Sequence, residues 1–164
     1  MESLSMILII LMALTPISEV RGAIPLVFAI FNDGFHVIWG IMLSVLSNMM
    51  VPFIAYFVLD MLDYLIRSKY SPSFIKRIYN ALLNFGKRRA RRLRKESYIG
   101  LTIFVGVPLP FTGAWTGTLV AYVLGLDRRK TIISIELGVL IATIIVIIVS
   151  YTGVEFLKKI FLAQ

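Results

Sequence analysis

The sequence predicts an all-α integral membrane protein made of two inverted repeats. Each repeat is a re-entrant helical hairpin followed by a transmembrane helix, and a basic amphipathic helix joins the two. Three observations predict this class. A chain of 164 residues with 59% hydrophobic content and mean hydropathy +0.88 carries more apolar surface than one small soluble core can bury. Two of its apolar stretches are interrupted by prolines, glycines and hydroxyls: PISEVRGAIPL at 16–26 and VPLPFTGAWTG at 107–117. Finally, 11 of the 17 Lys and Arg residues lie between Arg67 and Lys95, in the middle of the chain.

Taken in order, the apolar runs cover roughly 4–31, 35–59, 99–126 and 131–153. Each is long enough to cross a hydrocarbon layer at about 20 residues per helix, so at most four crossings fit in one membrane domain, 1–164. Glu2 stands where a signal peptide carries basic residues, so the first run is expected to stay in the mature protein. The connector, about 61–98, opens with Ser71-Pro72, a cap and first helical residue. It then spaces Phe74, Ile75, Ile78, Tyr79, Leu82 and Leu83 as one helical face before KRRARRLRK at 87–95. A basic amphipathic helix on a membrane surface is the reading. Lys87, Arg88, Arg89, Arg91, Arg92, Arg94 and Lys95 would meet anionic lipid head groups on the cytoplasmic side.

At a fixed offset of 94 residues the halves align without gaps, pairing Pro16 with Pro110, Asp33 with Asp127 and Ile41 with Ile135. The repeats are then about 4–60 and about 99–155. A small gap would instead set Gly22-Ala23 over Gly113-Ala114, so the register inside the broken element stays open. Two topologies fit. Either all four runs cross, or the broken segments are re-entrant and only 35–59 and 131–153 cross. Symmetry favours the second, because one net crossing per repeat inverts the halves. Local charge agrees: NDGFH at 32–36 has no Lys or Arg and would face outward, while DRRK at 127–130 would face inward.

Broken backbone at membrane depth must be satisfied by protein or by a water-filled cavity, so the two breaks are expected to face each other around one central site. Half helices starting just after Gly22 and Gly113 would point their positive ends at that centre, and Arg21 would add a charge able to fork onto a carboxylate or phosphate. Glu19 would neutralise Arg21 or carry a coupling proton; the plainer alternative is a structural Glu19–Arg21 ion pair. Charges at this depth cost about 2.5–3.5 kcal/mol each, which argues against incidental placement. Glu136 is either solvated near the interface or turned inward as a second proton carrier. Asn48 reads as an interhelical hydrogen bond. Trp115 is a substrate contact or a packing anchor, and Thr112 a ligand or a partner for backbone freed by proline.

Several classes are excluded or unsupported. Without cysteine there is no disulfide or thiolate metal site, and His36 beside Asp33 has no metal-ligand spacing, so no metal or cofactor is expected. No nucleotide-binding loop and no nucleophile, base or paired-carboxylate constellation is visible, so the chain is not expected to be an enzyme. The basic run could bind any polyanion, but the membrane spans flanking it argue against nucleic acid.

S-E-V-R-G-A-I-P in the first half with P-L-P-F-T-G-A-W in the second resembles the pair of signatures of the small multi-drug export family. That family is similar in layout to the DedA superfamily, whose members are described as having opposed re-entrant hairpins and are linked to lipid-carrier flipping or proton-coupled transport. The resemblance carries over Glu19, Arg21, Gly22 and Pro25, then Pro108, Pro110, Thr112, Gly113 and Trp115. It departs from a DedA-like pattern in offering no second acid or arginine at Pro110-Phe111-Thr112-Gly113. The expected function is secondary, proton-coupled export of small amphipathic or anionic compounds. Alternatives are a flippase or scramblase of a phosphate-bearing polyisoprenyl lipid and, more weakly, a lipid-phosphate enzyme. The expected location is the cell membrane, multi-pass. So few complete spans enclose little volume, which makes a homodimer a candidate assembly.

Overall fold

The computed structural model describes residues 2–67, 73–90, 98–109 and 111–162, and their side chains except at 2, 67 and 154–162. Among the described residues every regular element is a helix: α1 Glu2–Leu14, α2 Glu19–Ile30, α3 Gly34–Met49, α4 Val51–Arg67, α5 Ser73–Ala90, α6 Tyr98–Gly106, α7 Ala114–Leu124 and α8 Arg128–Leu162. The proposed cap at Ser71 and Pro72 lies outside the described residues.

Two helical runs are long and apolar enough to cross a membrane. They are Gly34–Ile66, formed by α3 and α4 together, and Arg128–Gly153 within α8. Pro52 has no N–H for the helical ladder, and it marks the join between α3 and α4. The other apolar segments are much shorter. At about 1.5 Å per residue, α1 and α2 reach about 20 and 18 Å, and α6 and α7 about 14 and 17 Å, each less than the roughly 30 Å of a hydrocarbon core. Each of the two candidate membrane-spanning helical runs is therefore preceded by shorter, broken apolar segments.

Aspartates start both long helices by the same local chemistry. Asp33 accepts the His36 N–H at 3.0 Å to cap α3, and Asp127 accepts the Lys130 N–H at 3.0 Å in front of α8. Ile30 ends α2 as Leu124 ends α7, again 94 positions apart. The 94-residue offset thus coincides with the ends of α2 and α7 and with the starts of α3 and α8.

The long runs lie antiparallel. Arg128 at the start of α8 bonds Asp60 near the end of α4 at 2.9 Å, whereas Tyr151 far along α8 meets Phe28, just before α3, with ring centroids 6.4 Å apart. Beside α8, α6 runs parallel: Tyr98 lies at Asp127, Thr102 donates to the Ser134 carbonyl at 2.9 Å, and Gly106 sits against Ile141. This approach is close because Gly138 has no side chain; a Cβ there would stand 2.7 Å from that of Val105. Crossed packing ties the halves together, with α2 against α8 and α7 against α4. The shared core joins Val20, Ile24 and Val51 to Leu101, Val105, Ile135 and Val139.

Part of the apolar face of α5 is taken by protein: the helix packs on α7 with Gly86 and Ala90 buried, while Phe74 remains exposed.

The His36 backbone N–H, helped by its ring, holds the Asp33 carboxyl below the usual carboxylate range. Its cap is therefore complete above the ordinary aspartate pKa of about 3.9 and fades as pH falls through the lowered value. Asp33→Ala and Asp127→Ala should each lower the thermal midpoint of the purified protein at pH 7 by a few degrees, and the double variant by the sum. A midpoint unmoved by either change would mean that these carboxylates do not cap.

Candidate functional site

The two breaks meet, and what joins them is the Glu19–Arg21 pair. Glu19 opens α2 with φ 52° and is only 4% exposed. Its carboxylate accepts the backbone N–H groups of Ala114 and Trp115, each at 3.2 Å. These are the first two residues of α7, whose N–H groups have no partner inside the helix. A fixed negative charge there also complements the positive end of the helix. Gly113 makes the approach possible, because a Cβ at that position would fall on the Glu19 carboxylate.

Arg21 does the converse at the other side of the same break. Its guanidinium donates to the carbonyls of Leu109 at 2.6 Å, Val105 at 3.2 Å and Val107 at 3.4 Å, and to the Thr112 hydroxyl at 3.1 Å. These carbonyls belong to the end of α6 and the segment after it, where helical acceptors run out. The Thr112 hydroxyl lies 2.9 Å from the Val107 carbonyl and 2.8 Å from that of Leu109, closing the cluster. The guanidinium Nε is buried without a partner among the described residues.

Two expectations are corrected here. Glu19 and Arg21 form no ion pair with each other; standing two apart on one helix, they point in different directions, and each reaches a different end of the second break. Second, α2 starts at Glu19 rather than after Gly22, which places Gly22 in its first turn and Pro25 inside the helix. The expectation for α7 holds, since Gly113 precedes its first residue.

The remaining predicted residues are distributed around this clamp. Trp115 donates from Nε1 to the Leu14 carbonyl at 2.9 Å, tying the end of α1 to the start of α7. Asn48 donates to the Ala13 carbonyl at 2.9 Å, the interhelical role read from sequence. Pro108 lies half-buried between α6 and α7, and Pro110 lies outside the described residues. Glu136 is half-buried on α8 and makes no hydrogen bond or ion pair with a described residue, so nothing brings it to Glu19 or Arg21. In the basic run, Lys87 and Arg88 are exposed and Arg89 is half-buried. Arg91, Arg92, Arg94 and Lys95 lie outside the described residues.

Beside the clamp is a partly open cavity of about 350 Å³. Pro16 and Ile17 of the first break form one wall with Phe111 of the second; Trp115, Thr116 and Leu119 of α7 form another. Ala55, Val58 and Leu59 of α4 close it from one side, and Leu82 and Phe85 of α5 from the other. Phe111 has φ 63°, so both breaks hold a non-glycine residue in the left-handed region. Sequence reasoning missed this apolar wall. Its signal was Phe111 beside the prolines and the Leu82 face of α5, both read as other things.

The chain matches the model of the family described as "Putative small multi-drug export protein" over residues 19–145, or 127 of 164. No curated protein and no solved structure matches it. The matched segment begins at Glu19 and contains the whole clamp, and the chain belongs to this family.

Removing either partner of the Glu19–Gly113 contact should expose the other. Glu19→Ala and Gly113→Ala are each expected to destabilise the protein, yet the double variant should lose less than the sum, with a coupling of roughly 0.5–3 kcal/mol in thermal unfolding. Strictly additive losses would show that the carboxylate does not occupy the space left by Gly113.

Proposed function

We propose that this member of the small multi-drug export family moves small amphipathic compounds out of the cell, through a site where two re-entrant hairpins meet. The observation that carries the reading is the cavity formed jointly by both breaks, which has the size of a small-molecule site and walls that are mostly apolar. The family description supports export as the direction.

The re-entrant arrangement has geometric support. Tyr98 at the start of α6 and Asp127 after α7 share one level, because the tyrosine hydroxyl accepts the Asp127 N–H at 3.3 Å. Gly106, where α6 ends, packs at Ile141, about 20 Å along α8 from its start. On this reading α6 and α7 enter and leave at one level and turn near mid-depth, which supports a re-entrant hairpin. The first half has the matching feature at Ala13, whose carbonyl meets Asn48 midway along the other long run. With the long runs antiparallel, the two hairpins enter from opposite faces, as inverted repeats do.

With the connector cytoplasmic, α4 ends and α8 begins on the inner side, and the cavity lies between the hairpin tips and α5, where an exporter would load. The helix ends that sequence reasoning assigned to an anionic ligand are filled by Glu19 and Arg21 themselves. Glu19 in the role of proton carrier acquires a specific consequence: protonation would weaken its hold on the Ala114 and Trp115 N–H groups and let the tips separate. Glu136 is retained as a second carrier on sequence grounds. A head-group cradle for lipid flipping has less support, because both terminal guanidinium nitrogens of Arg21 already donate to the second break and only the buried Nε is left, and we assign the chain no catalytic step.

Two measurements test this reading. Single cysteines at Gly34 and Lys130 should react with impermeant reagents from opposite sides of the membrane; labelling from the same side would eliminate the inverted hairpins. In proteoliposomes, export of a lipophilic dye should be accompanied by proton movement that Glu19→Gln abolishes, and coupling that persists in this variant would remove Glu19 from the proton path.

A further inference from the structure

The cavity carries more information than its apolar lining, because a cation stands at its aromatic wall. The Arg89 guanidinium lies 5.5 Å from the ring centroid of Phe85 and 6.0 Å from that of Phe111, and both rings line the cavity. Arg89 is half-buried and pairs with no carboxylate among the described residues. Lys87 and Arg88 precede it on the exposed side of α5. Three described acids have partners of their own: Asp60 bonds Arg128, Asp63 accepts the Tyr79 hydroxyl at 2.9 Å, and Glu19 holds the start of α7. The cavity therefore has an apolar interior and, among the described residues, one positive end without a carboxylate partner. A guanidinium over aromatic rings keeps its donor edge available, since the rings occupy its face.

We infer that the cargo of this cavity is a single-chain anionic amphiphile, with its alkyl tail among Ile17, Leu59, Leu82 and Leu119 and its anionic head on Arg89. This rests on the transport-site reading above and narrows its substrate class. Size favours one chain: at about 350 Å³ the cavity lies at the small end of the roughly 300–1,000 Å³ typical of small-molecule sites. Charge selects the head, because a cationic amphiphile would bring a like charge to Arg89 without a carboxylate to receive it. A carboxylate, sulfate or phosphate head can instead take two guanidinium N–H groups side by side.

The cavity contains its own reporter. The chain has two tryptophans, and Trp115 lines the cavity while Trp39 lies on α3. In a Trp39→Phe background reconstituted in lipid nanodiscs, a bromine-tailed alkyl phosphate should quench Trp115 fluorescence saturably. The bromine-tailed alkyl trimethylammonium of equal length, and a tail-brominated two-chain anionic phospholipid, should give only linear, non-saturating quenching. Arg89→Gln should weaken the saturable phase about tenfold or more, while Arg89→Lys retains most of it. Leu119→Trp, which fills the cavity, should be tested by displacement of a radiolabelled alkyl phosphate and should abolish binding. Equal saturable quenching by the phosphate and the ammonium probe would overturn the inference, as would saturable quenching by the phospholipid or an unchanged affinity in Arg89→Gln. The comparison of probes needs no change in the cavity itself, because Trp39 is not among its lining residues. Selective binding without export would leave this inference standing and remove the transport reading; export without charge-selective binding would do the reverse.

Discussion

A helix interrupted inside an apolar layer has a problem that a loop in water does not have: its terminal N–H and C=O groups have no solvent to meet. The second break of this chain is held by two side chains of the first. Glu19 satisfies the N–H groups that begin α7, and Arg21 satisfies carbonyls at and beyond the end of α6. Each charge also faces the end of the helix dipole that favours it. Everything else at the centre depends on this exchange. Gly113 is small because the carboxylate needs its space, Thr112 completes the carbonyl cluster, and Trp115 ties the start of α7 to the end of α1 through Leu14. The two halves cannot be separated at this point without leaving charges and backbone groups unpaired in a low-dielectric setting, which is far more costly than the same loss in water.

This arrangement changes the chemical character of the centre. Charges at membrane depth invite the idea of a polar substrate site, but here they are consumed by the protein's own backbone. What remains open is apolar, lined by the residues that flank the clamp rather than by the clamp itself. Charge thus builds the meeting point and apolar surface makes the space. The connector has an equivalent double part: α5 closes one side of the cavity with Leu82 and Phe85 and brings Arg89 to its aromatic edge. Any movement that separates the two breaks would also reshape the cavity, because Trp115 both bonds the Leu14 carbonyl and lines the cavity.

How much of this could be read from the sequence depends on the range of the chemistry involved. Asp33 and Asp127 stood out in the sequence only as a matched pair 94 positions apart; that each caps a helix is visible only in the structure, where both accept the N–H three residues on. Asn48 was legible because an amide in an apolar run has few other options. The start of α2 was not, since Pro25 and Gly22 favour a boundary beside them, whereas the helix tolerates Pro25 inside and begins at a glutamate with positive φ. That shift decided the fate of the charges. On a helix that already includes both, Glu19 and Arg21 diverge, and an ion pair between them is replaced by contacts to residues more than 80 positions away. No local pattern encodes those partners. The cavity was hidden for a related reason: Ile17, Leu59, Leu82 and Leu119 each look like ordinary apolar positions until four separate elements converge.

The clamp is most directly tested at the two amides it is said to hold. Amide hydrogen exchange, followed residue by residue in the reconstituted protein, should find the Ala114 and Trp115 N–H groups slow in the wild type. In Glu19→Ala they should become much faster, while amides in the middle of α8 remain unchanged. If both amides exchange at the same rate with and without the carboxylate, the first hairpin does not hold the second, and the account of the central site is wrong.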